Sequence, residues 1–390
     1  MHSIRELYKI GPGPSSSHTI GPCLATRKFL ESGNFDYLVV TLYGSLSLTG
    51  KGHLTDKIII DTSSVETKVC FNYTDVKPHC NTMTFSGYFK GELKKSAEVY
   101  SIGGGSIRFK GAEETITDCI YDYHSLIEIK DCCLRHKKRI YEYVLRKEKD
   151  DILEYMSNIY DVMMSSIDDG LSKQGVLPGT LEVKRKAKEI YMNSNDNRGK
   201  CLAYAYAVAE ENACGHMIVT SPTCGAAGVL PAVVRYSEEE LHISKDKVLK
   251  GLLTAGLFGN LVKHNASISG AECGCQAEIG TATVMASAYL SEVLDLDLNI
   301  MECAAEISLE HSLGLTCDPV NGYVQIPCIE RNSLAALRAI DAVKLSKLTS
   351  GTSNKISFDL CVLTMLETGK DLNEGYRETA LSGLAKHFNW

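Results

Sequence analysis

Short runs rich in β-branched and aromatic residues recur within the first 110 residues, which is typical of strands. The β-rich runs predict strands at Tyr37–Tyr43, Lys57–Ile60, Glu66–Phe71, Met83–Phe89 and Glu98–Ile102. A helix is predicted after Gly21-Pro22, and a further strand is predicted at Ser106–Lys110, after the three glycines at 103–105.

From Ile152 onward the pattern changes to long stretches with helical spacing and very little strand. Helices are predicted at Cys201–Asn212, Gly225–Tyr236, Lys247–Asn265, Gln276–Leu294, Ile300–Ser312, Ser333–Leu345 and Phe358–Glu367. We therefore predict an α+β domain over residues 1–150, followed by a mainly α-helical domain over residues 151–390. The pattern locates the boundary only to residues 111–155, where the charged stretch Arg135–Asp151 is typical of a solvated helix or linker.

Composition and charge exclude several classes of partner. The chain has 390 residues, of which 44% are hydrophobic and 23% charged, with a net charge of −7. This acidic balance argues against a nucleic-acid or anionic-membrane partner, and no apolar run is long enough to span a bilayer. The amino-terminal residues lack the basic-then-apolar order of a signal peptide, so we expect a cytoplasmic protein.

The 15 cysteines are odd in number and follow no regular spacing, so a disulfide framework is not predicted. Cys317 and Cys328 flank a stretch with two prolines and one glycine, which is a shaped loop rather than a helix. Cys273 and Cys275 lie between two predicted helices in a spacing that is poor for structural zinc. One of this pair with Cys317 and Cys328 makes three thiolate ligands, which favours a four-iron cluster with one iron open to substrate.

The run from Gly11 to Pro22 concentrates hydroxyl groups and a histidine where a helix should begin. Its polar residues are Ser15, Ser16, Ser17, His18 and Thr19. Helix amino termini bind carboxylates and phosphates through backbone N–H groups, so we interpret this run as an anion pocket. A Ser–His hydrolase is not favoured, because no G-x-S-x-G motif is present.

A second glycine-rich turn follows the first predicted strand and exposes Lys51 and His53. It resembles a P-loop, but five residues separate Gly44 from Gly50, and a glycine stands where serine or threonine should bind magnesium. We therefore reject nucleotide binding and predict His53 as a general base, oriented by Asp56.

A third turn, which includes Thr223 and Gly225, can present a hydroxyl and an N–H to a carboxylate. A tight glycine-mediated helix contact explains the same spacing.

Taken together, these motifs resemble the iron–sulfur-dependent L-serine dehydratases (L-serine ammonia-lyases) of bacteria, over nearly the whole chain. The serine-rich run at 11–22 and the run Tyr-Gly-Ser-Leu…Thr-Gly-Lys-Gly-His at 43–53 are similar to the family's small domain. The runs at 170–179, 221–231, 265–280 and 310–332 are similar to its large domain. The resemblance implies that L-serine is converted to pyruvate and ammonia without pyridoxal phosphate, as a step of amino-acid degradation that supplies gluconeogenesis.

The resemblance also implies a set of site residues. A [4Fe–4S] cluster is expected on Cys275, Cys317 and Cys328. His53 is expected to be the base, with His18 and Lys51 as the other candidate catalytic residues. Substrate contacts are expected from Ser15, Ser16, Ser17, Thr19, Thr223 and Gly225. We further expect a small amino acid as the substrate and a homo-oligomer, specifically a dimer.

The chain departs from the family pattern at four places. Cys224 stands where asparagine is usual, and Cys273 stands where an apolar residue is usual. The amino-terminal domain is short after Asp56, and the final residue is Trp390, where some members have a cysteine that can reach the cluster. Cys224 motivates an alternative lyase for L-threonine or L-cysteine. A non-catalytic metal-binding or redox-sensing protein is the alternative from another class, and a pyridoxal-phosphate enzyme acting through Lys51 is a further one.

Overall fold

A five-stranded sheet organises the amino-terminal region of the computed structural model, which describes residues 1–112, 119–349 and 355–388. Its strands are β2 (Tyr37–Leu42), β3 (Glu66–Phe71), β4 (Thr82–Phe89), β5 (Glu92–Ser101) and β6 (Ile107–Phe109), in the order β3-β2-β4-β5-β6. Only β2 and β3 are parallel, and the other neighbours are antiparallel. Alternate residues of β2 are buried, as the hydrophobic pattern predicts for a sheet with one covered face.

Two helices cover this sheet, and the second of them connects two of its strands. They are α1 (Gly21–Glu31) and α3 (Thr55–Thr62), and the one-turn helix α2 (Ser45–Leu48) lies between β2 and α3. Phe29 of α1 stacks on Phe35 and Phe85, with ring centroids 5.2 Å apart in both pairs. The strand predicted at Lys57–Ile60 is wrong, because this segment belongs to α3. Parallel strands β2 and β3 need a crossover connection, and the helix provides it.

The remaining chain is mainly helical, which confirms the predicted fold class. Its helices are α4 (Leu126–His136), α5 (Ile140–Lys147), α6 (Ile152–Ser172), α7 (Ala187–Asn193), α8 (Asn197–Ala213), α9 (Val229–Leu241), α10 (Lys245–Asn265), α11 (Gly270–Cys273), α12 (Thr281–Val293), α13 (Leu298–Glu310), α14 (Cys328–Leu348), α15 (Phe358–Asp371) and α16 (Gly383–Phe388). The helix predicted from Gln276 begins as a π-helical turn, Gln276–Gly280, before α12. The helix predicted from Gly225 begins only at Val229.

Helix α12 is the centre of the helical region, and every residue of it is buried. Small residues allow its neighbours to approach closely. A Cβ on Gly251 of α10, for example, would lie 2.6 Å from the ring of Tyr289. A helix that is apolar on all sides is stable only when other helices surround it, so α12 provides a rigid support for the turn that precedes it.

The amino-terminal segment is tied to the helical region by a two-stranded sheet that the hydrophobic pattern did not predict. Strand β1 (Ile10–Pro12) pairs antiparallel with β7 (Met217–Val219), and Ile4 and Leu7 lie in the large helical core. This pairing holds the serine-rich run that follows β1 against the helices.

The charged stretch Arg135–Asp151 is only partly solvated, in contrast to its prediction. Helix α5 lies within it and buries Ile140 and Val144 in the helical core, while Arg139 forms an ion pair with the buried Glu292. The reason is its spacing, which places apolar residues four apart on one face of α5. The proposed domain boundary at residue 150 stays a prediction. Among the described helices, none combines the length and apolar character needed to cross a membrane.

Candidate active site

A narrow buried cavity lies where the amino-terminal turns meet the helical region. Residues from both parts of the chain line it: Ser15, His53, Gly225, Glu278, Cys317, Pro319, Val324, Cys328 and Glu378. The cavity therefore collects residues from most of the runs that the sequence singled out.

Three cysteines from three different elements meet at this cavity, of which Cys317 and Cys328 line it and Cys275 is an electrostatic neighbour of both. Cys275 precedes the π-helical turn, Cys317 lies in a loop, and Cys328 is the first residue of α14. All three thiol groups are within electrostatic reach of one another, and burial raises the pKa of each. Their thiolates would therefore need a compensating positive charge or a bound metal.

The Arg331 guanidinium provides part of this compensation. It lies one turn along α14 from Cys328, donates a hydrogen bond to the Thr316 carbonyl oxygen at 2.6 Å, and lowers the pKa of Cys275 and of Cys328. Its own pKa is raised, because the effect of the three neighbouring sulfurs outweighs that of burial. A thiolate group and a fixed cation thus stabilise each other in this part of the cavity.

The wall beside these sulfurs has no side chain. A Cβ on Gly270 would lie 3.1 Å from Cys317 Sγ and 2.9 Å from Glu278 Oε2, so any larger residue would intrude on both groups. Two buried thiols, a third that is half-buried and a neighbouring cation fit a group held by thiolates, such as an iron–sulfur cluster.

His53 lines the cavity, and the His18 ring packs against it, with ring centroids 4.2 Å apart. His18 Nδ1 is 3.1 Å from Ser15 Oγ, and Nε2 is 2.9 Å from Thr49 Oγ1. In contrast, neither ring nitrogen of His53 has a hydrogen-bond partner among the described residues. Burial lowers the pKa of His18 to about 4 and that of His53 well below its ordinary value, so both rings are neutral at pH 7.

Two buried carboxyl groups complete the site. Burial raises the pKa of Glu278 to about 7, although the Thr223 hydroxyl and Arg331 act in the opposite direction. Burial and the nearby Glu278 raise the pKa of Glu378 well above its ordinary value. Glu378 Oε1 is 3.6 Å from His18 Nδ1.

The same residues also offer a place for a single metal ion. One ligand atom each of His18, His53 and Glu378 lies within 4.8 Å of the others. Two imidazoles and a carboxylate are ligands that suit several divalent transition metals.

The structure brings some of the predicted substrate residues to the cavity and not others. Ser15 and Gly225 line it, and Thr223 lies beside Glu278. Thr19 instead donates its hydroxyl hydrogen bonds to the Pro12 and Ser15 carbonyl oxygens.

Ser16 and Ser17 are buried in a π-helical turn, Ser16–Ile20, and the Ser17 carbonyl oxygen accepts a hydrogen bond from Ser101. This turn is followed directly by α1, which has no free amino terminus at the serines. The run therefore contributes one residue, Ser15, to the lining of the cavity.

Lys51 and Asp56 do not reach the cavity. Lys51 is exposed, with its Nζ 5.5 Å from the centroid of the Phe71 ring. Asp56 accepts a hydrogen bond from the adjacent Lys57 N–H at 2.9 Å, so the prediction that it orients His53 is wrong. The reason is that α3 begins at Thr55 and turns the Asp56 side chain away from the imidazole.

The turn at 221–228 was predicted either to face a carboxylate or to make a tight glycine-mediated helix contact. Gly225 has the first position and Gly228 has the second. A Cβ on Gly225 would be 3.4 Å from Glu278 Oε1, whereas a Cβ on Gly228 would lie 2.5 Å from the Ala205 carbonyl oxygen. Asn332 joins the two glycines, because its amide donates to the Gly225 carbonyl oxygen and accepts from the Gly228 N–H.

Sequence reasoning missed three residues of the site. Glu278 and Arg331 each follow a predicted ligand cysteine by three positions, and this helical spacing places them on the same side as the sulfur. Glu378 has no such signal. It reaches the cavity because the Cys317 N–H donates to the Tyr376 carbonyl oxygen and the Glu378 N–H donates to the Cys317 carbonyl oxygen, both at 2.8 Å.

Comparison with known proteins gives consistent matches over most of the chain. Residues 81–385 match the family described as serine dehydratase alpha chain, and residues 3–62 match the serine dehydratase beta chain. The chain is 40% identical to the L-serine dehydratase of Helicobacter pylori strain 26695, over 98% of both chains.

Two further relatives have comparable similarity. Identity is 36% to L-serine dehydratase 2 of Escherichia coli K12, over 99% of this chain and 98% of that one. It is 38% to the L-serine dehydratase of Streptomyces coelicolor, over 98% of both chains. These alignments span about 450 positions and thus include gaps in the 390 residues of this chain.

Proposed function

The chain belongs to the serine dehydratase family and is thus a lyase, and from this premise we propose that it converts L-serine to pyruvate and ammonia with a [4Fe–4S] cluster. The observation that carries the proposal is that Cys317, Cys328 and His53 line one cavity, with Cys275 as an electrostatic neighbour of both cysteines. It is the arrangement needed to bind a cluster and a substrate side by side.

Cys275, Cys317 and Cys328 would bind the cluster as thiolates, and Arg331 would balance part of their charge. With three protein ligands, a cluster supplies one open iron that acts as a Lewis acid on the substrate carboxylate and β-hydroxyl. A Cβ on Gly270 would lie 3.1 Å from Cys317 Sγ, so the absence of a side chain there leaves this sulfur unobstructed.

His53 would remove the α-proton of the substrate. Its imidazole is neutral and has a lone pair that no described residue occupies, which are the properties of a base ready to accept a proton. His18, the second candidate, is less suited because both of its nitrogens already have partners. Lys51 is exposed and outside the cavity, so neither proton transfer nor a pyridoxal-phosphate linkage through it is proposed.

Ser15, Thr223 and the two buried carboxyl groups would position the substrate and exclude water from it. Most of the residues that line the cavity are buried, so the hydrogen bonds within it are stronger than they would be in water. Elimination of the β-hydroxyl leaves aminoacrylate, which hydrolyses in water to pyruvate and ammonia.

Cys224 is a reason to test related substrates. Its thiol is fully buried and close enough to Glu278 for the carboxylate to raise its pKa, in addition to burial. A residue in this place can alter the preference among L-serine, L-threonine and L-cysteine.

A second candidate function rests on the other ligand group of the cavity. His18, His53 and Glu378 can hold a single ion, and the chain would then be a non-catalytic metal-binding or redox-sensing protein. Metal analysis separates the two candidates, because a cluster requires four irons with matching sulfide and a single ion does not.

The test is anaerobic purification, followed by iron and sulfide analysis and by turnover of serine, threonine and cysteine. We expect a brown protein that forms pyruvate from serine and bleaches in air. Serine substitution of Cys275, Cys317 or Cys328 should remove the iron, whereas Cys273→Ser should retain it. A colourless, air-stable protein that contains zinc would refute the proposal.

We retain three further predictions as proposals. Residues 1–150 and 151–390 form the two domains, the chain forms a homodimer, and the enzyme acts in the cytoplasm. Size-exclusion chromatography with light scattering tests the dimer.

A further inference from the structure

The hydrogen bonds around His18 define which of its nitrogens carries the proton. Nε2 is 2.9 Å from Thr49 Oγ1 and 3.4 Å from Ser45 Oγ. Both hydroxyl groups donate their own proton to a backbone carbonyl oxygen: Thr49 to Ser45 at 2.9 Å, and Ser45 to Glu378 at 2.8 Å. Each hydroxyl is therefore left as an acceptor, and an acceptor pair is satisfied only if Nε2 is the protonated nitrogen.

The other nitrogen, Nδ1, is then the one with the lone pair. The ring is fully buried, and a neutral ring has a single N–H, which the two acceptor hydroxyl groups place on Nε2. Ser15 Oγ lies 3.1 Å from Nδ1 and has the proton that this lone pair can accept. The order of donors is thus from Ser15 to His18, from His18 to Thr49, and from Thr49 to the backbone of α2.

This order determines what Ser15 can offer to the cavity that it lines. Once its proton is donated to His18, its oxygen has only lone pairs for a ligand. An acceptor of this kind suits an ammonium group, which has three N–H donors and no acceptor. Glu378 is also adjacent to Ser15. If Ser15 donated its proton to Glu378 instead, the orientation of the Ser15 hydroxyl group would not depend on His18.

We propose that Thr49 is a positioning residue, which holds His18 as the Nε2-protonated tautomer so that Ser15 accepts a hydrogen bond from the α-ammonium group of the substrate. This inference rests on the proposed function, because it assigns the amino group of an amino-acid substrate to Ser15. Thr49 acts through His18 and is not among the residues that line the cavity.

The test compares three variants as holoenzymes with equal iron content. Thr49→Val keeps the shape of the side chain and removes the hydroxyl, and Thr49→Ser restores the hydroxyl. Thr55→Val is the matched control, since Thr55 is equally buried and its hydroxyl has no partner among the described residues. For each variant we would measure KM and kcat for L-serine and the inhibition constant of 3-hydroxypropanoate, which lacks only the amino group.

For Thr49→Val we expect KM for L-serine to rise about tenfold, as for loss of one hydrogen bond to a charged group, with kcat changed much less. The inhibition constant of 3-hydroxypropanoate should stay within about twofold of the wild-type value, within the usual scatter of such measurements. Thr49→Ser should restore KM, and Thr55→Val should match the wild type.

Two results would overturn the inference. A parallel rise for serine and 3-hydroxypropanoate would show that Thr49 only supports the structure of the cavity. No change in KM would show that Ser15 is oriented without His18, for example by Glu378. If the wild type does not turn over serine, the proposed function fails, and titration calorimetry with L-serine and 3-hydroxypropanoate still tests the role of Thr49.

Discussion

Replacing His53 by leucine is expected to stabilise the fold and to abolish turnover. The imidazole is 0% exposed, and neither of its nitrogens has a partner among the described residues. A neutral imidazole buries one donor and one acceptor, and an uncompensated buried polar group costs about 1–3 kcal/mol. Leucine has a similar volume, so its repacking should cost less than about 1.5 kcal/mol. The net expectation is an increase of about 1–2 kcal/mol in the free energy of unfolding.

His18→Leu is the matched control for this experiment. His18 is equally buried, but Ser15 and Thr49 both hydrogen-bond to its ring. The substitution would leave one or both of these hydroxyl groups without a partner, so we expect a loss of about 2–3 kcal/mol. Anaerobic urea unfolding of both variants tests whether the free energy of unfolding rises in His53→Leu and falls in His18→Leu. Pyruvate formation measures the activity of each variant.

A single outcome would refute the reasoning about stability. If His53→Leu is destabilised as strongly as His18→Leu, the His53 ring has partners in the folded protein that its described neighbours do not provide. Retention of full turnover by His53→Leu, with its iron intact, would separately exclude His53 as the base.

Three further predictions concern pH and the thiolate side of the cavity. Burial lowers the pKa of His18 from 6.5 to about 4, so the folded chain binds fewer protons than the unfolded chain between these values. The contribution of His18 to the free energy of unfolding is intact above pH 6.5 and falls by about 3 kcal/mol as the pH falls to 4. Urea unfolding should therefore show a smaller pH dependence in His18→Asn than in the wild type. Gly270→Ala places a Cβ 3.1 Å from Cys317 Sγ and 2.9 Å from Glu278 Oε2, so we expect partial loss of iron, and full iron content would contradict this. Arg331→Lys should also lower iron retention, since a lysine cannot reproduce the fork of donors, and an unchanged iron-to-protein ratio would contradict the expected role.

The hydrophobic pattern predicted most of the sheet and of the long helices, because these elements depend on local periodicity. It failed at Lys57–Ile60, where three successive isoleucines are compatible with a strand or a helix. The parallel pairing of β2 with β3, which involves residues far apart in sequence, decides in favour of the helix. Strands β1 and β7 were missed for the same reason, since three residues have no detectable period and are stabilised only by each other.

The candidate site also contains residues that the sequence predicted and residues that it could not show. The three candidate cysteines and the two histidines lie in runs of unusual composition, where glycines and prolines impose turns and the residue types themselves indicate chemistry. The sequence could not show that Lys51 and Asp56 turn away from His53, because this depends on where α3 begins. Nor could it show Glu378, which reaches the cavity through backbone pairing with Cys317.

By itself, the sequence determined the fold class, the family resemblance and the chemical types of the site, because these are properties of local pattern and residue identity. Only the tertiary structure decided which groups share the cavity, which of their polar atoms have partners, and which are neutral. Those properties depend on burial and on distances between residues such as Ser15, His53 and Glu378, which are far apart in the chain. The distinction between His18, whose ring nitrogens both have partners, and His53, whose ring nitrogens do not, follows from this packing alone.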